Sequence, residues 1–257
     1  MSESTIINIV GTDTDVGKTV VTAALAAALV NQGRSVALYK PAQTGVQPQE
    51  MGDVQYAAAL SGASPYEGVR FLYPMAPVAA AQRENRENKD LPSLQEHQEA
   101  IQELADQFDV VIVEGAGGVT VDLTVPLSTG TGYTSQNQAD LIRLLPSEAV
   151  TFIIARAGLG TLNHTALTAD YLGQRGIETR GVIIGSWPQN PQPVEESNLQ
   201  SLARQGFTVL ATLPAGAGKS FVVGGDEALP FSEQEIRQFR QDSSQWMQHA
   251  LVALDMS

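Results

Sequence analysis

Six short runs of β-branched and aliphatic residues recur along the chain, at positions 6–10, 35–39, 110–113, 150–154, 181–184 and 208–213. Apolar residues fill consecutive positions in these runs instead of alternating with polar ones, which predicts strands buried on both faces. Stretches of helical period lie between them, such as residues 23–29 after the first run and Leu94, Ile101, Leu104 and Ala105 before the third. Ser93 with Glu96 three positions later has the pattern of a capping box and predicts a helix start there. Ile236, Phe239, Trp246, Met247 and Leu251 recur at helical spacing near the carboxyl end, as expected of a helix packed on the main core. Strands joined by helical crossovers predict an α/β fold, a doubly wound and mainly parallel sheet with helices on both faces. Residues 83–90 read as a solvated connection and 188–193 (PQNPQP) as a loop set by its prolines. With no linker, repeat or low-complexity tract, residues 1–257 read as one domain.

Composition narrows the chemistry. The 257 residues include no cysteine, which excludes disulfides, thiolate nucleophiles and thiolate-ligated metal centres. Acidic residues outnumber basic ones by 28 to 15, for a net charge of -13. That charge opposes binding to nucleic acid or to an anionic membrane, so a phosphate-bearing partner has to be gripped locally. No apolar run is long enough to span a bilayer, and the first residues lack a basic stretch followed by an apolar one, so the expected location is cytoplasmic.

In a doubly wound fold ligands bind beyond the carboxyl ends of the strands. The first run leads directly into GTDTDVGKT at 11–19, and an alanine-rich helix follows. Strand, glycine-bounded turn and helix form the setting of a phosphate-binding loop of the P-loop NTPase type, in which backbone N–H groups curl around an anion at a helix amino terminus. Lys18 would reach the terminal phosphates, and Thr19 would bind Mg²⁺ through its hydroxyl. The loop is a longer variant, because Thr12 occupies the usual place of the first glycine, which lies one residue earlier at Gly11. A second GK[ST], Gly218-Lys219-Ser220, has neither the glycine upstream nor the helix downstream and carries no such expectation.

The second run ends in KPAQTG at 40–45, which sets Lys40 at the sheet's carboxyl edge. Lys40 is either a solvated strand end or a charge aimed at transferred phosphate, and the following proline and glycine favour a fixed loop. The third run closes on Glu114, followed by Gly115, Ala116, Gly117 and Gly118. An acidic residue at a buried strand's end has the Walker-B arrangement, which holds Mg²⁺ directly or through water. Asp53 opens a helical stretch, where helix capping is the alternative to a functional role. His97 and His249 read as solvated helix residues and His164 as an orienting group at a helix start. None is assigned proton transfer.

Taken in order, GTDTDVGKT at 11–19, KPAQTG at 40–45, the Asp53 helix start, VEGAGG at 113–118 and GLGTLNHTALT at 158–168 resemble the dethiobiotin synthetase family. The resemblance implies an ATP-dependent ligase of biotin biosynthesis, closing a cyclic urea on 7,8-diaminopelargonate with CO2 or bicarbonate. It also implies magnesium ligands at Thr19, Asp53 and Glu114 and catalytic lysines at Lys18 and Lys40. The nucleotide would rest on Thr14, Asp15, Val16, Gly17, Lys18, Thr19 and Val20, with Asp53, Glu114, Gly115, Ala116 and Gly117 beside it. Substrate contacts would fall on Thr44 and, across a homodimer interface, on Thr161, Leu162 and Asn163. Residues 133–135 lie in a loop that could cover the substrate.

One position departs from the family pattern. Gly185-Ser186 stands where many members carry Asn-Asp, whose carboxamide reads the adenine edge. Base reading would then fall to backbone groups of Gly185 and Ser186 and of Pro214, Ala215 and Gly216, predicting relaxed choice with CTP or other triphosphates competing. The principal rival is a switch ATPase of the chromosome-partitioning type, which carries a second lysine early in the loop where this chain has Asp13. A second rival, an amide-forming ligase, needs an ammonia source with a cysteine nucleophile, which this chain lacks.

Overall fold

A computed structural model describes residues 4–87, 90–125, 127–128, 133–218 and 231–255. Seven strands make one sheet: β1 (Thr5–Gly11), β2 (Val36–Gln43), β3 (Ser64–Arg70), β4 (Val110–Glu114), β7 (Val150–Ala155), β8 (Gly181–Trp187) and β9 (Val209–Pro214). The short strands β5 (Leu127–Ser128) and β6 (Tyr133–Thr134) pair with each other outside it. In space the order is β3-β2-β4-β1-β7-β8-β9, and every neighbouring pair is parallel. The chain builds outward from β1 to β3, returns through β4, and then continues on the other side of β1. That reversal opens a crevice at the carboxyl ends of β1, β2 and β4.

Alternation along β1 feeds two layers. Ile7 and Ile9 face α1 (Lys18–Asn31), α2 (Asp53–Ser61), α8 (Glu233–Trp246) and α9 (Gln248–Leu254). Ile6 and Val10 face the opposite layer, built from α3 (Pro77–Arg83), α4 (Leu94–Ala105), α5 (Gln138–Ile142), α6 (Thr161–Gly173) and α7 (Pro193–Arg204). Helix α1 is apolar all round and correspondingly enclosed, with Ala23, Ala24, Ala26 and Ala27 fully buried. Alanine methyls let the sheet, α2 and α8 approach it closely, so the helix that starts at the phosphate loop is clamped along its length. The expected terminal helix is α8, broken at Met247 before α9, and it packs Phe239 and Met247 into this layer.

The parallel fold matches the sequence expectation, with one strand added. β3 (SPYEGVR) has no apolar run, because it is an edge strand with Tyr66 and Glu67 turned outward or half-exposed. β2 extends past its expected end through Pro41 to Gln43. Its register with β4 stops at Tyr39↔Val113 while pairing with β3 continues, so Pro41 lies where only one side of the strand is bonded. The expected capping box is present: Ser93 Oγ accepts from Glu96 N–H at 3.2 Å and Glu96 Oε2 accepts from Ser93 N–H at 2.7 Å.

His97 corrects a sequence expectation. It is wholly buried, because Leu94, His97, Ile101 and Leu104 form the inward stripe of α4. Its Nδ1 shares a 2.7 Å hydrogen bond with the Tyr39 hydroxyl. Burial pushes the imidazole down to about 4, against the opposing charge of Glu96. The unfolded chain takes up this proton near pH 6.5 and the folded chain does not, so stability falls as pH drops from about 6.5 towards 4. At pH 5 this histidine is expected to cost roughly 2 kcal/mol relative to pH 7. Denaturant unfolding at both pH values should show a correspondingly smaller loss in His97→Asn, and equal losses in the two proteins would contradict the assignment.

Candidate active site

The loop after β1 is closed by backbone approaches that only small residues permit. Gly17, with φ of 93°, is the N-cap of α1, and a Cβ there would stand 2.6 Å from the Gly185 carbonyl. A Cβ on Gly11 would meet Lys18 Nζ at 2.7 Å and the Gly117 carbonyl at 2.8 Å, so the phosphate loop and the glycine turn after Glu114 pack directly on each other. Lys18 folds back over the loop and donates to the Asp13 carbonyl at 2.9 Å. Burial, joined by the charge of Lys40, lowers its ammonium to about 8, while Glu114, Asp53 and Asp15 pull the other way.

Four predicted residues meet at the mouth of this loop. Lys40 Nζ lies 2.7 Å from Glu114 Oε1 and 2.6 Å from Asp53 Oδ2, and Thr19 Oγ1 donates to Glu114 Oε1 at 2.9 Å. Burial alone would lower Lys40, but the charges and hydrogen bonds of Glu114 and Asp53 outweigh it and hold the ammonium above the ordinary lysine range. Glu114 is fully buried, and among the described residues its Oε2 has no hydrogen-bond partner. A desolvated carboxylate oxygen without a donor is costly unless something cationic completes it. Asp53 is the first residue of α2, with Gly52 as the cap, so its carboxylate is free to meet Lys40.

Two glutamines that the sequence reading passed over brace this cluster. Gln43 Oε1 accepts from Asp53 N–H at 2.8 Å and its amide donates to the Thr44 carbonyl at 3.2 Å, tying the lysine loop to the start of α2. Gln138 donates to the Ile9 carbonyl at 3.1 Å and lies against Gly115, where any Cβ would overlap it. Arg156, the first residue after β7, pairs with Asp13 at 2.6 Å and was likewise passed over. Its place at a strand's carboxyl end was the available signal.

Thr44 is half-buried at the end of the β2 loop, and α6 begins after Gly160, whose φ is 86°. In sheet order β2 and β7 flank β4 and β1, so these two segments follow strands on opposite sides of β1, the strand that leads into the phosphate loop. Within the α6 start Thr161 is buried, Leu162 is half-buried in the core, and Asn163 is exposed. Lys219 and Ser220 of the second GK[ST] lie outside the described residues, as does most of the 126–132 stretch. Thr134 is exposed, and Ser135 Oγ donates to Asp140 at 2.9 Å.

At the far edge, the ends of β8 and β9 border a cavity of about 400 Å³ lined by Trp187, Pro188, Gln189, Thr212, Pro214 and Ala215. The pairing shifts between Ile184↔Thr212 and Trp187↔Pro214, leaving an extra residue on β8. Such a bulge re-aims the following side chains. Gly185 backs onto the phosphate loop, where a Cβ would overlap the Val16 carbonyl. The Asn-to-Gly departure therefore has a packing consequence in this chain. Gly185→Asn is expected to displace the loop and raise KM for every nucleoside triphosphate by about tenfold, in keeping with an overpacking cost of about 1–3 kcal/mol. Sharpened preference for ATP at unchanged KM would contradict that reading.

A parallel sheet whose central strand opens into a glycine-bounded loop bearing Lys18 and Thr19, faced by a carboxylate on the neighbouring strand, defines a P-loop NTPase. The AAA domain family profile matches residues 5–217. The ATP-dependent dethiobiotin synthetase BioD of Streptomyces avermitilis is 46% identical over 220 residues, covering 84% of this chain and 86% of that protein. Its namesake in Rhodococcus jostii is 45% identical over 218 residues, covering 83% and 88%. The chain belongs to the ATP-dependent dethiobiotin synthetase family. The cell division ATPase MinD of Pyrococcus furiosus aligns with a TM-score of 0.52 over 96% of this chain and 99% of that one, at 16% identity, a likeness of fold alone.

Proposed function

We propose that this protein uses ATP to close a cyclic urea on 7,8-diaminopelargonate with CO2, forming dethiobiotin. The observation that carries the reading is the Lys40 ammonium, buried between Glu114 and Asp53 at the mouth of a phosphate loop. One substrate amine adds to CO2 and loses a proton, giving a carbamate. The carbamate oxygen attacks the γ-phosphorus and ADP departs. The second amine then attacks the carbamoyl carbon of the mixed anhydride, the C–O bond to phosphate breaks, and the ring closes with loss of a proton. No protein nucleophile is needed, and the work is alignment and charge neutralisation.

In this reading the N–H groups of residues 14–20 and the turn at 115–117 cradle the phosphates, and Lys18 and Lys40 face the transferred group. Thr19, Asp53 and Glu114 offer three oxygen donors, one of them the unpartnered Glu114 Oε2, a set that suits a hard divalent cation. Mg²⁺ bound there would offset charge on the phosphates. Lys40 meanwhile keeps both carboxylates compensated in the metal-free chain. Gly185, Ser186, Pro214, Ala215 and Gly216 border the base, with CTP expected to compete well against ATP in mixed-substrate kinetics.

The substrate would lie between Thr44 and the start of α6, with Thr161, Leu162 and Asn163 offered across a homodimer. Support for that interface comes from Leu159 and Leu167, 81% and 60% exposed, with Leu167 one turn beyond the exposed Asn163. Among the described residues no helix is long and apolar enough to cross a membrane, and we place the enzyme in the cytoplasm. Assays with ¹³C-bicarbonate test the function: label should enter dethiobiotin, with phosphate released only when diamine and bicarbonate are both present. Phosphate release indifferent to the diamine would favour a switch ATPase instead.

A further inference from the structure

We infer that Arg156 is a positioning residue for the triphosphate, acting by neutralising a carboxylate that the chain carries inside its own phosphate loop. This rests on the reading that the loop takes a nucleoside triphosphate. A loop that attracts an anion through backbone N–H groups is opposed by any negative side chain among them. Asp13 is such a side chain, two residues after Gly11 and five before Lys18.

Both of its carboxylate oxygens are engaged. Oδ1 accepts from the Thr14 N–H at 2.8 Å, and Oδ2 accepts from Arg156 Nη2 at 2.6 Å. The same guanidinium nitrogen reaches the Thr14 carbonyl at 3.5 Å. Arg156 is held in place from behind, because Thr12 N–H donates to the Ile154 carbonyl at 3.0 Å and joins the end of β7 to the loop. The Asp13 carbonyl, in turn, receives Lys18. One residue thus orients the phosphate-directed lysine through its backbone and carries an unwanted charge on its side chain. Arg156 removes that charge and ties the carboxylate to the end of β7.

Local compensation matters in a chain with a net charge of -13. Lys18 and Lys40 are occupied by the Asp13 carbonyl and by the Glu114 and Asp53 carboxylates, which leaves the Asp13 charge to Arg156. The side chains of the pair are 39% and 47% exposed, so salt should screen the effect. Removal of the Asp13 charge separates the proposal from a purely structural role, because a pair that only held the loop's shape would weaken binding when lost from either side.

The test combines Arg156→Ala, Asp13→Asn and the double variant, reading kcat and KM for ATP together with calorimetric binding of Mg²⁺ and a non-hydrolysable ATP analogue without diamine. At low salt Arg156→Ala should weaken KM and analogue binding about tenfold with kcat within about twofold of wild type. At about 0.5 M salt the loss should shrink to about threefold. Asp13→Asn keeps an acceptor for Thr14 and should tighten binding about twofold, an expectation that stands even if Arg156→Ala fails to fold. The double variant should return to within about threefold of wild type. A double variant as weak as Arg156→Ala would mean that the guanidinium touches the nucleotide itself and would overturn the proposal. So would a salt-independent loss, unchanged binding in Arg156→Ala, or weakened binding in Asp13→Asn. Analogue binding also keeps two failures apart: a wild type that binds it without converting the diamine refutes the synthetase reading and leaves the Arg156 proposal standing.

Discussion

Replacing Lys40 with glutamine is expected to lower turnover by roughly 10²- to 10³-fold while changing KM for ATP by no more than about threefold. In the proposed reading the backbone cradle and Lys18 remain to bind the phosphates, whereas the buried charge that would face the transferred group is lost. The same substitution has a structural consequence. Glu114 is fully buried and Lys40 is its charge partner, so glutamine leaves a desolvated carboxylate without a cation. Breaking a buried pair from one side costs about 3–5 kcal/mol, and this loss should appear in thermal unfolding without metal. Saturating Mg²⁺ should recover most of it, because a divalent ion compensates the same oxygens. Unchanged turnover in Lys40→Gln would remove this lysine from the chemistry, and destabilisation insensitive to Mg²⁺ would separate it from the metal ligands.

Glu114→Gln should abolish Mg²⁺-dependent stabilisation and lower turnover by about 10³-fold or more. The amide preserves volume and can still accept from Thr19, and Gln138 still donates to the Ile9 carbonyl, so folding should survive. What disappears is the negative oxygen that has no hydrogen-bond partner among the described residues, the atom best suited to a hard cation. Lys40 would retain Asp53 as its partner. Differential scanning calorimetry with and without Mg²⁺ checks the first expectation, and single-turnover phosphate release checks the second. A variant that keeps both the Mg²⁺ response and wild-type turnover would exclude Glu114 from the metal site.

Long-range pairing explains what was legible in the chain and what was not. Central strands announce themselves by continuous apolar runs, and GTDTDVGKT and VEGAGG mark the two strand ends that meet at Thr19 and Glu114. β3 carries no such run, since an edge strand exposes one side to solvent and tolerates Pro65 and Glu67. His97 reads as a surface residue because histidine is usually solvated, yet its place on the stripe with Leu94, Ile101 and Leu104 was available from periodicity. Gln43 and Gln138 act on groups from other segments that no local pattern marks, and Arg156, signalled by its place after β7, meets an Asp13 that only the fold brings to it. At Gly185 the sequence shows a missing carboxamide and backbone groups that could serve the base, while the overlap of any Cβ with Val16 is legible only in the folded backbone.

A crystal grown with Mn²⁺ and a non-hydrolysable triphosphate, measured for anomalous scattering, tests the central claim most directly. The account predicts one Mn²⁺ bonded to the Thr19 hydroxyl and to Glu114, with Asp53 directly or through water, and joined to the phosphates on the 11–19 loop. A metal bound elsewhere, or a triphosphate seated away from that loop with Lys40 still bridging Glu114 and Asp53, would contradict it.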